Sequence, residues 1–230
     1  MNETGTTRAN KYLAHATGIS RREADNAIAA GRVVIDGKKA GMGSQVPAGA
    51  VVLLDGKPIG EQQAYTYLAL HKPVGYVCSR KRQGDYPTIY ELLPPEQRKL
   101  KPVGRLDRDS SGVLILTDDG DFAHRMTHPK FQKRKLYEVE LDRDLEPLHQ
   151  QMINDYGISL EDGSSKLTLE RMNDKDRNTW RVTMSEGRNR QIRRTFAALG
   201  YTVTKLHRTD FGPYSLNGLA SGKTQPVSNA

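Results

Sequence analysis

The chain is poor in the residues that hold disulfide-stapled or metal-built folds together. Of 230 residues one is cysteine, Cys78, which leaves no internal disulfide framework and no multi-thiolate metal site. A single tryptophan and an aromatic content of 7% argue against the aromatic-lined cleft of a carbohydrate enzyme. No window approaches the roughly 20 apolar residues of a membrane helix, so no membrane partner is expected. Residues Met1 to Thr7 are polar and include Glu3, unlike a secretory signal. A reducing, cytoplasmic setting is therefore expected. A hydrophobic share of 36% and a mean hydropathy of −0.67 describe a surface-rich soluble chain, long enough for one large domain or two smaller ones.

What the chain does have is positive charge. The formal net charge is +8 and the isoelectric point lies near 9.5, which suits a polyanionic partner. Residues 1–60 carry 8 Lys and Arg against 5 acids, and the remainder 27 against 22. The excess is spread along the chain and is no mere basic tail.

Residues 8–60 read as a compact unit. Ala9, Leu13 and Ala16 share one face of a helix over 8–17 that Gly18 ends. Ser20 and Glu23 have the spacing of a capping box, so a second helix starts at Ser20, with Ala24, Ala27 and Ile28 inward and Gly31 as its stop. Residues 32–39 then predict a hairpin about Asp36-Gly37, and 51–54 a further strand. Arg8, Lys11, Arg21, Arg22, Arg32 and Lys38 suit a surface that grips a nucleic-acid backbone, although a solvated basic face has the same charge pattern. The polar residues Glu61, Gln62 and Gln63 mark a boundary, giving domains 1–60 and 64–230 joined by a linker at 61–63.

In the second part, strands are expected over 65–70, 113–116, 136–141 and 179–184, with a short helix over 121–126 that must end before Pro129. Tyr137, Val139 and Leu141 alternate with Glu138 and Glu140, which turns Tyr137 inward beside Lys133, Arg134 and Lys135. A helix over 188–199 places Ile192, Phe196 and Leu199 inward, Arg193 on the border, and Arg190 and Arg194 outward, free to meet phosphates. His124 and His128 are four apart, but no glutamate follows His124 and other soft ligands are few, so no metal is expected.

The segment Gly104-Arg105-Leu106-Asp107-Arg108-Asp109-Ser110-Ser111-Gly112 leads into the continuous apolar run Val113 to Leu116, a strand covered on both faces. A carboxylate flanked by Arg105 and Arg108 is favoured in its charged form and can act as a nucleophile or a base. Turn and cap chemistry is the ordinary use of such a segment. If extended, it would set Asp107 and Asp109 about 6.6–6.8 Å apart on one face, close to the spacing in an inverting glycosidase.

Five motifs in order resolve the choice: Leu70-His71-Lys72-Pro73-Val74-Gly75-Tyr76; Gly104-Arg105-Leu106-Asp107 through Ser111-Gly112; Lys135-Leu136-Tyr137; Glu186-Gly187-Arg188-Asn189-Arg190-Gln191-Ile192-Arg193-Arg194; and Leu206-His207-Arg208. From about Arg8 to Pro213 the chain resembles the RNA pseudouridine synthases that act on ribosomal RNA. Residues 8–60 are similar to the small RNA-binding domain first described in a ribosomal small-subunit protein. The resemblance implies an α+β fold, with a helix-helix-strand RNA-binding domain before a catalytic domain built on a long mixed or antiparallel sheet with a central cleft. It implies Asp107 as the catalytic aspartate, Tyr137 packed on the target base, Arg193 paired with Asp107, Arg105 beside the flipped nucleotide and Leu206 lining the pocket, with Asp109 structural. It implies no metal or organic cofactor, ribosomal RNA as the partner, free or in assembling subunits, and a monomer. The wording of 186–194 and of Phe211-Gly212-Pro213 looks closer to members acting on 23S than on 16S rRNA. A non-catalytic RNA-binding assembly factor would leave the motifs beyond residue 60 unused. Departures from the family pattern are Ser110-Ser111 in place of a leading threonine, His71 where asparagine is usual, and a C-terminal stretch, Gly222 to Pro226, without the usual Arg-Pro-Leu.

Overall fold

The computed structural model describes residues 5–60 and 64–229. The chain divides into two compact units, Met1–Tyr65 and Thr66–Ala230. The expected linker at 61–63 lies outside the described residues.

The first unit begins with strand β1 (Thr6–Arg8), followed by helices α1 (Ala9–Thr17) and α2 (Arg21–Ala29). Gly18 closes α1 in the left-handed conformation at φ 78°, its N–H donating to Ala14 O, a role that suits glycine because no Cβ opposes it. Ser20 Oγ accepts from Glu23 N, and Glu23 Oε2 accepts from Ser20 N at 2.6 Å, so the capping box read from the sequence is formed. Strands β2 (Val33–Ile35), β3 (Lys38–Lys39), β4 (Gln45–Pro47), β5 (Val52–Leu54) and β6 (Lys57–Pro58) complete the unit. One sheet has the order β3-β2-β5-β6, and β1 pairs with β4. Leu13, Ala24, Ala27, Ile28 and Val33 are buried between the helices and this sheet.

The second unit contains β7 (Tyr67–Lys72), β8 (Lys101–Pro102), β9 (Ser111–Thr117), α3 (Gly120–Thr127), β10 (Lys135–Leu141), α4 (Pro147–Gln151), β11 (Ile158–Leu160), β12 (Gly163–Ser165), β13 (Thr168–Arg171), β14 (Thr179–Met184), α5 (Gln191–Ala197), β15 (Val203–Phe211), β16 (Tyr214–Ser215) and β17 (Thr224–Pro226). A mixed sheet runs β13-β14-β10-β15-β9-β7-β17, with β16 on β15 and β8 on β9. Every pairing in it is antiparallel except β15 with β9, where His207 faces Ser111 and Arg208 faces Gly112. The expected mixed sheet is present.

Alternation along β7 and β9 distributes their side chains to two cores. Leu68, Leu70, Leu114 and Leu116 join the larger one with Trp180, Phe196 and Tyr201. Ala69, Val113 and Ile115 face Phe122 and Met126 of α3, together with Phe211 and Tyr214. Strand β9 is thus covered on both faces, as its unbroken apolar run requires.

One local expectation is corrected. The helix expected over 188–199 spans only Gln191–Ala197, with Arg190 before it in the left-handed conformation at φ 46°. Residues 188–191 form a turn in which Gln191 Oε1 accepts from Arg188 N at 3.1 Å, while Arg188 bonds outward to Asp162, Gly163 O and Ser164 O. The C-terminal stretch is a strand: β17 pairs antiparallel with β7, and Val227 N donates to Tyr67 O.

Gly112 makes the parallel contact possible. Its φ is +119°, and a Cβ built there would lie 2.1 Å from Arg208 O, well inside any van der Waals contact with backbone that cannot rotate away. Gly112→Ala is expected to destabilise the second unit by roughly 3 kcal/mol or more, read as a lower urea midpoint; an unchanged midpoint would disprove the close approach.

Candidate active site

The loop before β9 is fastened from below. Lys72, the last residue of β7, is fully buried, and its Nζ donates to Pro73 O at 3.0 Å, Asp107 O at 3.0 Å and Ser110 O at 2.7 Å. Three carbonyls use all three ammonium protons. Burial draws Lys72 from 10.5 down to about 8, against the pull of Asp107 and Asp109. Ser110 N donates to Asp107 O at 3.1 Å, which closes the segment as a turn. The extended alternative, with two carboxylates on one face, is not what forms. Sequence reasoning placed Lys72 in a motif without giving it a role; a lysine ending the apolar strand Tyr67–Lys72 was the available signal.

The two carboxylates share one guanidinium. Arg190 donates from Nη1 and Nη2 to Asp109 at 3.2 and 3.1 Å, and its Nη1 lies 3.5 Å from Asp107 Oδ2. Arg193 does not make the expected ion pair with Asp107. Its Nε lies 3.4 Å from Asp109 Oδ2, its Nη2 donates to Asp109 O at 2.9 Å and its Nη1 to Val203 O at 2.6 Å. Burial pushes the Asp109 carboxyl up, but hydrogen bonding from Arg190 and the charges of Arg193 and Arg190 outweigh it and hold the group below its usual value. Arg193 is lowered by burial. Arg190, placed before the shortened helix instead of on its outward face, turns back over the loop.

A cavity of about 410 Å³ opens beside these groups and is lined by Arg105, Asp107, Tyr137, Arg190, Leu206 and Arg208, among others. Tyr137 and Leu206 are each 7% exposed and sit on neighbouring strands, with Tyr137 opposite Arg208 and Leu206 opposite Val139. The Arg208 Nε and Nη2 both donate to Val113 O, at 2.9 and 2.7 Å, and its guanidinium lies 4.7 Å from the centre of the Phe211 ring. Lys135 lines the other side, donating to Glu186 O at 3.0 Å; burial, then the nearby Arg208 charge, lower it from 10.5 to about 8. Arg208 and Lys135 stand in motifs read from the sequence but were given no role there, since a buried cation and an exposed one have the same spacing.

The remaining expectations divide. Arg105 lies at the cavity. Arg190 is not free for phosphate, and neither is Arg194, which pairs with Asp162 at 3.0 and 2.7 Å. In the first unit Arg8, Arg21, Arg22 and Lys38 are exposed and Lys11 is partly buried, whereas Arg32 pairs with Asp55 at 2.7 Å through Nε. The His124 and His128 rings meet at a tilt of 57° with centroids 4.7 Å apart, and among the described residues no cluster of three or more His, Cys, Asp or Glu could hold a metal. His71, at the unusual position, donates from Nδ1 to Leu219 O at 2.7 Å, because a carbonyl can only accept.

The arrangement presents the Asp107 carboxylate to a partly open cavity with an aromatic and an aliphatic wall and a cationic rim. That suits a flat, polar, anion-linked substrate and nucleophilic or general-base chemistry. The buried lysines give a measurable pH signature. Between about 8 and 10.5 the unfolded chain holds more protons on Lys72 and Lys135 than the folded one does, so their contribution makes unfolding free energy rise with pH across that window. Lys135→Met is expected to flatten that rise by up to one proton equivalent in melts from pH 8 to 10.5; an unaltered slope would contradict the lowered value.

The geometry has counterparts in known proteins. A family model described as RNA pseudouridylate synthase matches residues 66–198. The ribosomal small subunit pseudouridine synthase A of Pasteurella multocida is 39% identical over 227 residues, covering 96% of each chain. The ribosomal large subunit pseudouridine synthase B of Bacillus subtilis is 32% identical, covering 96% of this chain and 92% of its own. A crystal structure of a pseudouridylate synthase superposes with a TM-score of 0.67 at 32% identity, covering 96% of both chains. The similarity thus runs through the loop of Asp107, the strand of Tyr137 and the turn of Arg190, and the chain belongs to the RNA pseudouridine synthases, a family of rRNA-modifying isomerases.

Proposed function

We propose that this protein isomerises one uridine of ribosomal RNA, with Asp107 acting on a nucleotide flipped into the cavity beside it. The observation that carries this reading is the placement of Asp107 and Tyr137 on one cavity, with Arg190 bridging Asp107 to Asp109. A base inside folded RNA is out of reach of such a cavity, so it must leave its stack. The reaction breaks N1–C1′, turns the uracil, and joins C5 to C1′, with the C5 proton lost and N1 reprotonated, so product and substrate have the same composition. The Asp107 carboxylate either attacks the nucleotide or takes a ribose proton, and both routes need its negative oxygen. Tyr137 and Leu206 hold the detached base while it turns. Arg190 and Asp109 orient the carboxylate, and Arg193 anchors Asp109 from behind. Arg105 meets the RNA at the rim, and Arg8, Lys11, Arg21, Arg22 and Lys38 of the first unit grip its backbone.

For the subunit, the wording of 186–194 favours 23S rRNA, and that stretch supplies cavity-lining residues from Glu186 to Ile192. A second reading, 16S rRNA, is favoured by the higher identity to relatives named for the small subunit, at 39% against 32%.

The test is a carbodiimide and primer-extension map of rRNA from cells lacking the protein. One stop is expected to vanish and to return with the wild-type gene but not with Asp107→Asn, whose RNA affinity should stay within about twofold. The stop's address distinguishes 23S from 16S; an unchanged map would sink the assignment. Asp109→Asn is expected to lower kcat on the order of 10- to 100-fold, because it removes the carboxylate that holds Arg190 and faces Arg193 Nε; full activity would show that Asp107 needs no such support.

A further inference from the structure

The residue that follows Asp107 is tied to a loop the proposed reaction leaves unused. Arg108 is exposed, and its guanidinium lies 4.0 Å from the centre of the Tyr86 ring. Its carbonyl accepts from Gly75 N at 2.7 Å. Tyr86 is still 47% exposed, and Val74, next to Gly75, is 59% exposed. Large apolar side chains left in water beside a site often mark where a partner rests.

Tyr86 is held in place. Gln83 and Tyr86 form an isolated antiparallel bridge, and Val77 and Thr88 a parallel one. Thr88 and Glu91 make a reciprocal cap, and Arg82 pairs with Glu91 at 2.6 Å. Arg80 donates to Lys99 O at 3.0 Å and covers the Tyr90 ring at 4.7 Å. Lys81 is exposed on the same loop, and Asp85 is the acid on it. The result is an aromatic ring and a planar cation stacked in the open, one residue from the reacting carboxylate and among further cations.

We propose that this Tyr86–Arg108 stack is a binding ledge for an unpaired base of the RNA adjacent to the target uridine. Every nucleobase offers a π face, and stacking on an aromatic or guanidinium plane is the common way a protein holds an unstacked base. Removing the uridine from its stack exposes its neighbour, which takes up the ledge while the cationic rim meets the phosphate between them. The ledge therefore serves substrate capture and not the chemical step.

The inference rests on the proposed function, and the experiment separates the two. Initial rates are measured on rRNA purified from cells lacking the protein, for wild type, Tyr86→Ala and Tyr86→Phe, with thermal melts to confirm folding. Tyr86→Ala is expected to raise KM about tenfold and leave kcat within about twofold, while Tyr86→Phe keeps the wild-type values because the ring face is retained. A 2-aminopurine placed beside the modified uridine in a short RNA should be quenched by Asp107→Asn protein and not by Asp107→Asn carrying Tyr86→Ala. Wild-type turnover with an unchanged KM for Tyr86→Ala, or a loss in Tyr86→Phe equal to that in Tyr86→Ala, would overturn the ledge alone. No turnover by wild type would instead overturn the assigned reaction.

Discussion

Two strands run parallel for only two residue pairs, Ser111 with His207 and Gly112 with Arg208, and the geometry of the candidate site depends on that contact. In an otherwise antiparallel sheet it brings together segments 96 residues apart, with Ser111 Oγ 2.8 Å from His207 Nδ1. It places the turn of Asp107 at the head of β9 beside Leu206 and Arg208 of β15. The absent Cβ of Gly112 permits the approach, and the Arg208 guanidinium secures it by two bonds to Val113 O. Charged groups on that foundation then determine orientation. Lys72 holds the turn's carbonyls from inside, and Arg190 and Arg193 hold its carboxylates from outside.

The division of labour among the cations is electrostatic. Lys72 and Arg208 are buried and fixed by carbonyl oxygens, so their positions are set by backbone. Arg190 is exposed and fixed by the Asp109 carboxylate, whereas Arg193 is partly buried and bonds the carbonyls of Asp109 and Val203 beside that carboxylate. A carboxylate with one arginine in common with its neighbour is held by attraction to a group that is itself anchored, which limits its rotation more than a lone surface ion pair does. The same reasoning explains why Arg194 and Arg32 are unavailable to phosphate without competition: each already meets a carboxylate.

Signals confined to one element were legible in the sequence. The Ser20–Glu23 cap, the stop at Gly18, the two-faced burial of β9 and the inward Tyr137 follow from spacing alone. What was not legible needed a distant partner. Strands β1 and β4 are three residues each and pair only with one another, so neither carries a period long enough to read. The left-handed Arg190 results from Gln191 and Arg188 bonding across a turn, and the ordinary helical period hid it. The pairing of Arg193 with Asp109 instead of Asp107 is a matter of a few ångströms between residues two apart, below the resolution of any pattern. The order of five motifs gave the family; only coordinates gave which arginine touches which acid.

Strand β17 closes the outer edge of β7, with His71 N donating to Lys223 O and Gly222 N donating to His71 O. Strand β7 ends in Lys72, the support of the Asp107 turn, and β15, on the other flank of β9, also comes late in the chain. During synthesis β7 with Lys72, and the Asp107 turn with β9, therefore leave the ribosome long before either of their outer partners. Sheet pairings between distant segments form only once both are available. The candidate site is thus complete only after β15 has been made, while the capped helices of the first unit, with their local contacts, can form before it. A nascent chain would thus hold a folded first unit well before the Asp107 turn met its last supporting strands.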